Sequence, residues 1–191
     1  MPRPGLAFSH VGFYVTNLAV MEDFYTRVFE FTVTDRGQLP GSAGPVDLVF
    51  LSRDPDEHHQ IVLISGRPQA ISFNVINQIS LKADSLPTLK TIYRRVGAEP
   101  LVSEITPVTH GNSLSVYVRD PEGNRLELYM DLPWYVSQPL RLPVDLSLDD
   151  ATIMVNAEAH ARSLPGFKTR LEWRAEMARR MDLNQFGETI Q

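Results

Sequence analysis

The chain contains no cysteine, and this absence excludes several kinds of site at once. Without thiolates it cannot hold an iron–sulfur cluster, a zinc–thiolate site or a cysteine nucleophile, so any metal would need histidine, glutamine, asparagine or carboxylate ligands. No segment approaches the ~18 to 20 consecutive apolar residues that cross a bilayer. The first residues also lack the apolar stretch of a signal peptide, because His10 follows almost at once. We therefore expect a cytoplasmic protein with no membrane partner.

Positive charge is scarce as well. The 191 residues carry 18 Lys and Arg against 23 Asp and Glu, a formal net charge of -5 at pH 7. This balance argues against a general nucleic-acid binder, which needs many cations to neutralise phosphates. A small neutral or anionic ligand remains open. The content of 43% hydrophobic and 21% charged residues is typical of a globular protein with one domain or two small ones.

A β-α-β pattern occurs twice. The first copy, residues 6–66, has an alternating strand at 7–15, a helix from the cap Asn17 to near Phe31, a Gly/Pro-rich loop at 37–45, and strands at Val46–Leu51 and Gln60–Ile64. The second, residues 74–131, has a strand at Ile76–Ala83, a helix from the cap Ser85 to Val96 with Gly97 at its C′ position, and strands at Pro100–Ile105, Ser113–Arg119 and Arg125–Met130.

These patterns predict an α+β fold in which two βαβββ modules form an open, barrel-like mixed sheet around one cavity. Residues 132–191 read as a different kind of sequence, with two short helices at Leu148–His160 and Lys168–Met181. We expect this C-terminal extension to pack outside the modules, closing over the cavity or burying surface in a homodimer.

Side-chain alternation along the strands places polar residues on one face of each module. His10 shares a face with Tyr14, Gln78 with Ser80, and Glu127 with Tyr129. The opposite faces are apolar and suit packing under the helices. Two sheets that meet through their polar faces would enclose a lined pocket.

Three segments carry a more specific pattern. They are His10-Val-Gly-Phe-Tyr-Val-Thr-Asn-Leu with Phe24-Tyr, His58-His-Gln-Ile-Val-Leu, and Tyr117-Val-Arg-Asp-Pro-Glu-Gly-Asn-Arg-Leu-Glu-Leu-Tyr. Together they resemble the vicinal oxygen chelate superfamily, which includes glyoxalase I, bleomycin- and fosfomycin-resistance proteins and extradiol catechol dioxygenases. The paired His58 and His59 and the Thr109-His110 step resemble its one-domain, ring-cleaving dioxygenase-like members most closely.

The resemblance implies that His10, Gln78 and Glu127 bind a divalent metal, with Gln60 as a fourth ligand. Fe(II) is the expected ion, and Mn, Zn, Ni and Co are alternatives. Gln78 departs from the dioxygenase pattern, which has histidine at this position. A neutral amide oxygen is a weaker ligand for Fe(II) than imidazole, so a hydrogen-bonding remnant of a lost ligand is an equal interpretation of Gln78.

The resemblance also implies extradiol-type cleavage of a catechol or similar vicinal diol by O₂. His59 would be the acid/base, because an imidazole titrates near neutral pH. His58 competes for that role, since alternation lets only one of the pair face the pocket. His110 and Tyr117 would bind the oxygens of the substrate or of O₂, although a loop histidine and a barrel-filling tyrosine are the plainer interpretations.

Two other functions stay open at this stage. One is a glyoxalase-like, metal-dependent isomerase or lyase that needs no O₂. The other is a metal-free protein that binds a small molecule in the same cleft, in the manner of resistance proteins. Oxygen uptake with a catechol, metal binding without oxygen uptake, and absence of metal would distinguish the three.

Overall fold

The computed structural model describes residues 5–42 and 44–183, and its element order repeats. The first unit contains β1 (Val11–Val15), α1 (Leu18–Phe29), β2 (Thr32–Gly41), β3 (Gly44–Ser52) and β4 (Ile61–Ser65). The second contains β5 (Ile79–Lys82), α2 (Leu86–Gly97), β6 (Ser103–Thr109), β7 (Ser113–Arg119) and β8 (Arg125–Asp131). The extension adds β9 (Trp134–Tyr135), β10 (Leu142–Pro143), α3 (Asp150–Arg162), β11 (Lys168–Thr169) and α4 (Arg170–Arg180).

Each unit builds its own mixed sheet. The first has the order β1-β4-β3-β2, and the second has the order β10-β6-β7-β8-β5. The first strand of each unit pairs in parallel with the last, β1 with β4 and β5 with β8, while the strands between them are antiparallel. The two sheets are separate and do not close into a barrel within the described residues. This architecture confirms the predicted α+β fold of two βαβββ modules, whereas the exact module boundaries stay predictions.

The helices form where the sequence signals them. Asn17 caps α1 by accepting a hydrogen bond from the backbone N–H of Val20 at 3.1 Å, and Ser85 caps α2 in the same way from Thr88. The apolar face of α1 is fully buried, as its periodicity predicts. Its core residues are Met21, Phe24, Tyr25, Val28 and Phe29.

Four local predictions need correction. Of residues 37–45, expected to be a loop, residues 37–41 lie in β2 and residues 44 and 45 lie in β3, at the end of the hairpin that these strands form. Pro40 is tolerated there because β2 is an edge strand, where a missing N–H breaks no ladder. Gly97 is the last helical residue and not the C′ glycine, and Ala98 follows it with an ordinary φ of -92°. The strands expected at Ile76–Ala83 and Pro100–Ile105 are Ile79–Lys82 and Ser103–Thr109.

The turn between β7 and β8 fastens the two units together. The Glu122 carboxylate accepts hydrogen bonds from the backbone N–H groups of Thr16 and Asn17, both at 2.7 Å. It also pairs with Arg67, and both side chains are only 11% exposed. Behind this contact the buried Tyr25 hydroxyl donates to Asp120. The end of β1 is therefore held against the second unit.

The extension packs on the second unit. The Trp134 indole donates a hydrogen bond to the carbonyl of Gly111 at 2.6 Å, and β10 adds a strand to the free edge of β6. Both predicted helices are present with shifted ends, at Asp150–Arg162 and Arg170–Arg180. In the described part of the chain, no helix combines the length and the apolar character that crossing a membrane requires.

Candidate functional site

Glu127 occupies the middle of the polar face of the second sheet. It lies on β8 directly opposite Tyr117 on β7 and Ser80 on β5. Residues that pair across neighbouring strands project to the same face, so the three side chains converge. Glu127 is only 9% exposed, and Ser115 beside it is fully buried. A carboxylate this far from water needs hydrogen-bond partners.

The carboxylate has four such partners. Oε1 accepts from the hydroxyls of Ser115 at 2.9 Å and Tyr117 at 3.0 Å. Oε2 accepts from the amide Nε2 of Gln78 and the hydroxyl of Ser80, both at 2.7 Å. Each oxygen therefore accepts two hydrogen bonds. Glu127 is therefore a buried carboxylate with a full set of hydrogen-bond donors. The Glu127 centre consists of this carboxylate and its four donors, Gln78, Ser80, Ser115 and Tyr117.

His110 extends this centre through Tyr117. Its Nε2 lies 3.0 Å from the Tyr117 hydroxyl, and its Nδ1 lies 2.6 Å from the carbonyl oxygen of Leu140. A carbonyl can only accept, so Nδ1 carries a hydrogen. Burial and the Glu127 charge raise the pKa of Tyr117 above its usual value, which keeps its hydroxyl protonated. That single hydrogen lies within reach of both Nε2 and Oε1, so the three residues form a chain along which a proton can move.

A histidine cluster lies on the first unit. The rings of His10 and His59 are 4.2 Å apart, and the Nδ1 atoms of His58 and His59 are 2.8 Å apart. Phe50 packs edge-on against His59. Burial first, and then the neighbouring His10 and His58, lower the pKa of His59. The lowered pKa favours the neutral form of His59, which is half-buried whereas His58 is exposed.

A cleft of about 830 Å³ separates the edge strand of the first sheet from that of the second. Gln60, Gln78 and Ser80 line it together with apolar side chains of both units. Two of these polar residues, Gln78 and Ser80, are the donors to Glu127 Oε2. The anionic centre is thus separated from the cleft by one layer of side chains. The apolar lining includes Phe29, Phe31, Ile61, Ile79, Leu81 and Ile92.

The structure brings together some of the predicted metal ligands but not all. Gln78 bonds to Glu127 and shares the cleft with Gln60, whose Oε1 accepts from the backbone of Arg53. In residues 5–42 and 44–183, no hydrogen bond, ion pair or ring contact joins His10 to Glu127. Nor do three His, Asp or Glu side chains of these residues form a group that could hold a metal.

As arranged in the described residues, the predicted ligands do not converge on one point where a metal ion could bind. Both Glu127 oxygens are already engaged, and Gln78 turns its N–H toward Glu127 rather than toward a shared centre. The metal-ligand assignment of His10, Gln78, Glu127 and Gln60 therefore stays a prediction. Ser80 and Ser115 were missing from the predicted site, although alternation already placed them on the faces of Gln78 and Tyr117.

Comparison with known proteins identifies the family of the chain. The sequence profile of the Glyoxalase/Bleomycin resistance protein/Dioxygenase superfamily matches residues 7–128, which spans both units and every residue of the Glu127 centre. The chain belongs to this superfamily. The resemblance predicted from the His10, His58 and Tyr117 segments is therefore confirmed.

The curated relatives of this superfamily member include two dioxygenases of Rhodococcus globerulus. The chain is 30% identical over 132 residues to biphenyl-2,3-diol 1,2-dioxygenase 2, covering 65% of this chain and 62% of that protein. It is 35% identical over 94 residues to biphenyl-2,3-diol 1,2-dioxygenase 3, covering 44% of this chain and 46% of that protein. The matches thus span less than two thirds of either relative.

Crystal structures agree on the fold. A glyoxylase/bleomycin resistance protein/dioxygenase domain from Frankia sp. EAN1pec superposes with a TM-score of 0.55 at 19% identity, covering 69% of this chain and 100% of that one. A glyoxalase family protein from Bacillus cereus gives 0.50 at 14% identity, covering 68% and 97%. At such identities the similarity supports the fold and says nothing about the reaction.

Proposed function

We propose that the chain binds a small aromatic vicinal diol at the Glu127 centre. The diol enters from the cleft between the two sheets. One observation carries the proposal, namely that the buried Glu127 carboxylate is linked through Tyr117 to His110. Phenolic hydroxyls are hydrogen-bond donors, and a carboxylate is the strongest acceptor that a protein offers them. The names of the two Rhodococcus enzymes support a diol as the ligand.

The cleft suits such a molecule in size and lining. Its volume of about 830 Å³ lies within the usual range for small-ligand sites, and aromatic and aliphatic side chains dominate its walls. A diol reaching Glu127 would displace Gln78 or Ser80 from Oε2. A phenolic O–H is more acidic than the hydroxyl of Ser80 or the amide N–H of Gln78 and is therefore the stronger donor to a carboxylate, so this exchange favours the ligand. Gln78 and Ser80 lie at the cleft and can turn away.

Protein side chains can also accept the diol protons. The Nε2 of His110 would take up the proton of the first hydroxyl through the Tyr117 hydroxyl, which accepts that hydrogen as it passes its own to Nε2, while the Glu127 carboxylate accepts a hydrogen bond from the second hydroxyl. Tyr117 would remain a donor in this exchange, because its raised pKa opposes loss of its own hydrogen. The site thus orients a diol and polarises it without leaving a buried charge unpaired.

Extradiol-type ring cleavage is a second candidate, favoured by the two dioxygenase relatives and by the neutral imidazole of His59. That reaction uses O₂ and a divalent metal, with Fe(II) as the expected ion. The described residues assemble no cage for such an ion. The candidate would require His10 and Glu127 to share one centre.

Binding and oxygen uptake separate the two candidates. Calorimetric titration of the full-length protein with 2,3-dihydroxybiphenyl should show binding that Glu127→Gln weakens at least about tenfold. Metal analysis before and after anaerobic addition of Fe(II), followed by an oxygen-electrode assay with the same diol, tests ring cleavage. Binding without oxygen uptake leaves the first proposal standing and excludes the second. Absence of binding, or equal binding by Glu127→Gln, would overturn the first.

A further inference from the structure

A short strap of the extension, residues 138–143, is fastened beside the Glu127 centre. The carbonyl of Leu140 accepts the Nδ1–H of His110, and Gln138 donates to the backbone carbonyl of His110. On the other side, Leu142 pairs with Thr109 in the sheet. The backbone of Arg141 lies between these two attachments. Its position relative to the site is therefore set by the fold.

The Arg141 side chain reaches over the site. Its guanidinium carbon lies 5.1 Å from the centroid of the Tyr117 ring, a cation–π distance. The hydroxyl of that ring contacts both Glu127 and His110. The strap thus places a cation above the tyrosine that links the two acceptors of the site.

This cation has no anionic partner in the described parts of the chain. Arg119 and Arg170 in the same half of the molecule pair with Glu104 and Asp131, at 2.7 and 2.8 Å. Among residues 5–42 and 44–183, Arg141 contacts only the Tyr117 ring, and its side chain is exposed. A guanidinium offers five N–H donors in a planar fork that matches a carboxylate. Here those donors are free for a ligand.

The geometry points to Arg141 as a specificity residue that selects aromatic diols carrying a carboxylate. This inference rests on the proposed diol site. A diol held by Glu127 on β8 would lie along the sheet toward Tyr117 on β7, and a substituent pointing the same way reaches the strap. A negative charge there meets Arg141, which has no anionic partner among the described residues, whereas the cations that line the cleft, Arg53 and Lys82, already pair with Glu30 and Asp131. With its hydroxyls on the Glu127 carboxylate and its own carboxylate on Arg141, the ligand would bind in one orientation.

Two ligands of nearly equal shape test the inference, 3,4-dihydroxyphenylacetate and 4-ethylcatechol. The first carries a carboxylate where the second carries a methyl group. Calorimetric titration of the full-length protein should show at least about tenfold tighter binding of the carboxylate, with a preference that shrinks as salt is added. Arg141→Gln should remove that preference and leave the affinity for 4-ethylcatechol within about twofold of the original. Arg141→Lys should restore part of it, since a point charge remains without the fork.

Arg94→Gln is the matched control. Arg94 is exposed on α2 and bonds only to Thr91, so its loss changes the net charge equally without touching the site. It should leave both affinities unchanged. Thermal unfolding of each variant checks that the strap still packs. A parallel loss of both ligands in Arg141→Gln would show that the arginine only holds the strap, and the inference would be wrong.

The remaining outcomes distinguish this inference from the proposed function. Equal binding of the two ligands by the unmodified protein would overturn the role of Arg141 and leave the diol site intact. Binding of neither ligand would overturn the role of Arg141, and it would overturn the diol site as well if 2,3-dihydroxybiphenyl also fails to bind.

Discussion

The polar faces of the two repeats differ in what covers them. On the first unit, Tyr14 is 59% exposed, and His10 and His58 are exposed as well. On the second, Ser115 is fully buried and Glu127 is 9% exposed. The same βαβββ order therefore yields an open face in one copy and an enclosed anionic centre in the other.

The extension accounts for this difference. It adds β10 to the second sheet, anchors Trp134 on Gly111 and carries Arg141 over Tyr117. Removing water from a polar face strengthens the hydrogen bonds there and raises the cost of any donor left without a partner. The duplicated fold thus supplies the strands, and a single added segment turns one of two similar faces into a site. Matched substitutions in the two units can test this view.

The largest contrast is expected between two carboxylates. Glu127→Ala removes the acceptor of four donors, among them the buried Ser115 hydroxyl, and should lower the free energy of unfolding by about 3 kcal/mol. Glu57→Ala removes an exposed carboxylate beside the histidine cluster and should change it by less than about 0.5 kcal/mol. Urea denaturation at pH 7 measures both. Similar losses in the two variants would contradict the contrast between the faces.

Two glycines provide the next comparison. Gly111 has a φ of +75°, and a Cβ there would lie 2.4 Å from Val136 and 2.8 Å from Leu140. Gly111→Ala should therefore push the extension off the second sheet and destabilise the protein by about 2 kcal/mol. A Cβ on Gly12 of the first unit would lie 3.4 Å from its nearest neighbour, Ile64, which is an ordinary contact. Gly12→Ala should be neutral within about 0.5 kcal/mol.

Hydrogen exchange locates the effect of the glycine substitutions. Gly111→Ala should increase exchange in residues 134–143, while Gly12→Ala should leave that segment unchanged. If exchange rose evenly over the chain in Gly111→Ala, the extension would not be the element that the added methyl group displaces.

A pair of tyrosines gives a smaller effect. Tyr117→Phe keeps the ring under Arg141 but loses the hydroxyl bonds to Glu127 and His110, which should lower the free energy of unfolding by about 1 kcal/mol. Tyr14→Phe on the open face should have no measurable effect. Urea denaturation curves of the two variants and the unmodified protein measure these differences in the free energy of unfolding. A neutral Tyr117→Phe would mean that water replaces the lost hydroxyl.

Alternation predicted much of the second face. It placed Gln78 and Ser80 together on one strand and Glu127 on the same side of another, and all three are bonded to one another. It succeeded because the period of two is a property of each strand. The caps Asn17 and Ser85 followed from equally local chemistry, since their side chains satisfy the first free N–H groups of α1 and α2.

Alternation and capping rules could not predict how the two sheets and the extension are placed relative to one another. Alternation gives the face on which His10 lies but not its distance from Glu127 on another sheet. Arg141 was missed because its contact depends on how the extension docks, and the surrounding prolines carry no periodic signal. The β2–β3 hairpin was missed because glycine and proline are also common at an exposed sheet edge.

The smallest expected effect concerns the contact between the units and depends on pH. Glu99, after α2, is 8% exposed and accepts hydrogen bonds from Arg27 of α1 and from the backbone of Leu101. The bond to Arg27 lowers the pKa of Glu99 below its ordinary value of 4.5. Between the folded-state pKa of Glu99 and pH 4.5, the unfolded chain binds more protons than the folded chain. The stability that Glu99 contributes is therefore present above pH 4.5 and lost as pH falls through the folded-state pKa.

Glu99→Gln should lower the free energy of unfolding by less than about 1 kcal/mol at pH 7, and this difference should shrink on acidification. Urea denaturation over a pH series measures it, with the 64% exposed Glu104 as the control site for the same substitution. A difference that stayed constant with pH would show that Glu99 stabilises the contact by packing and not by its charge.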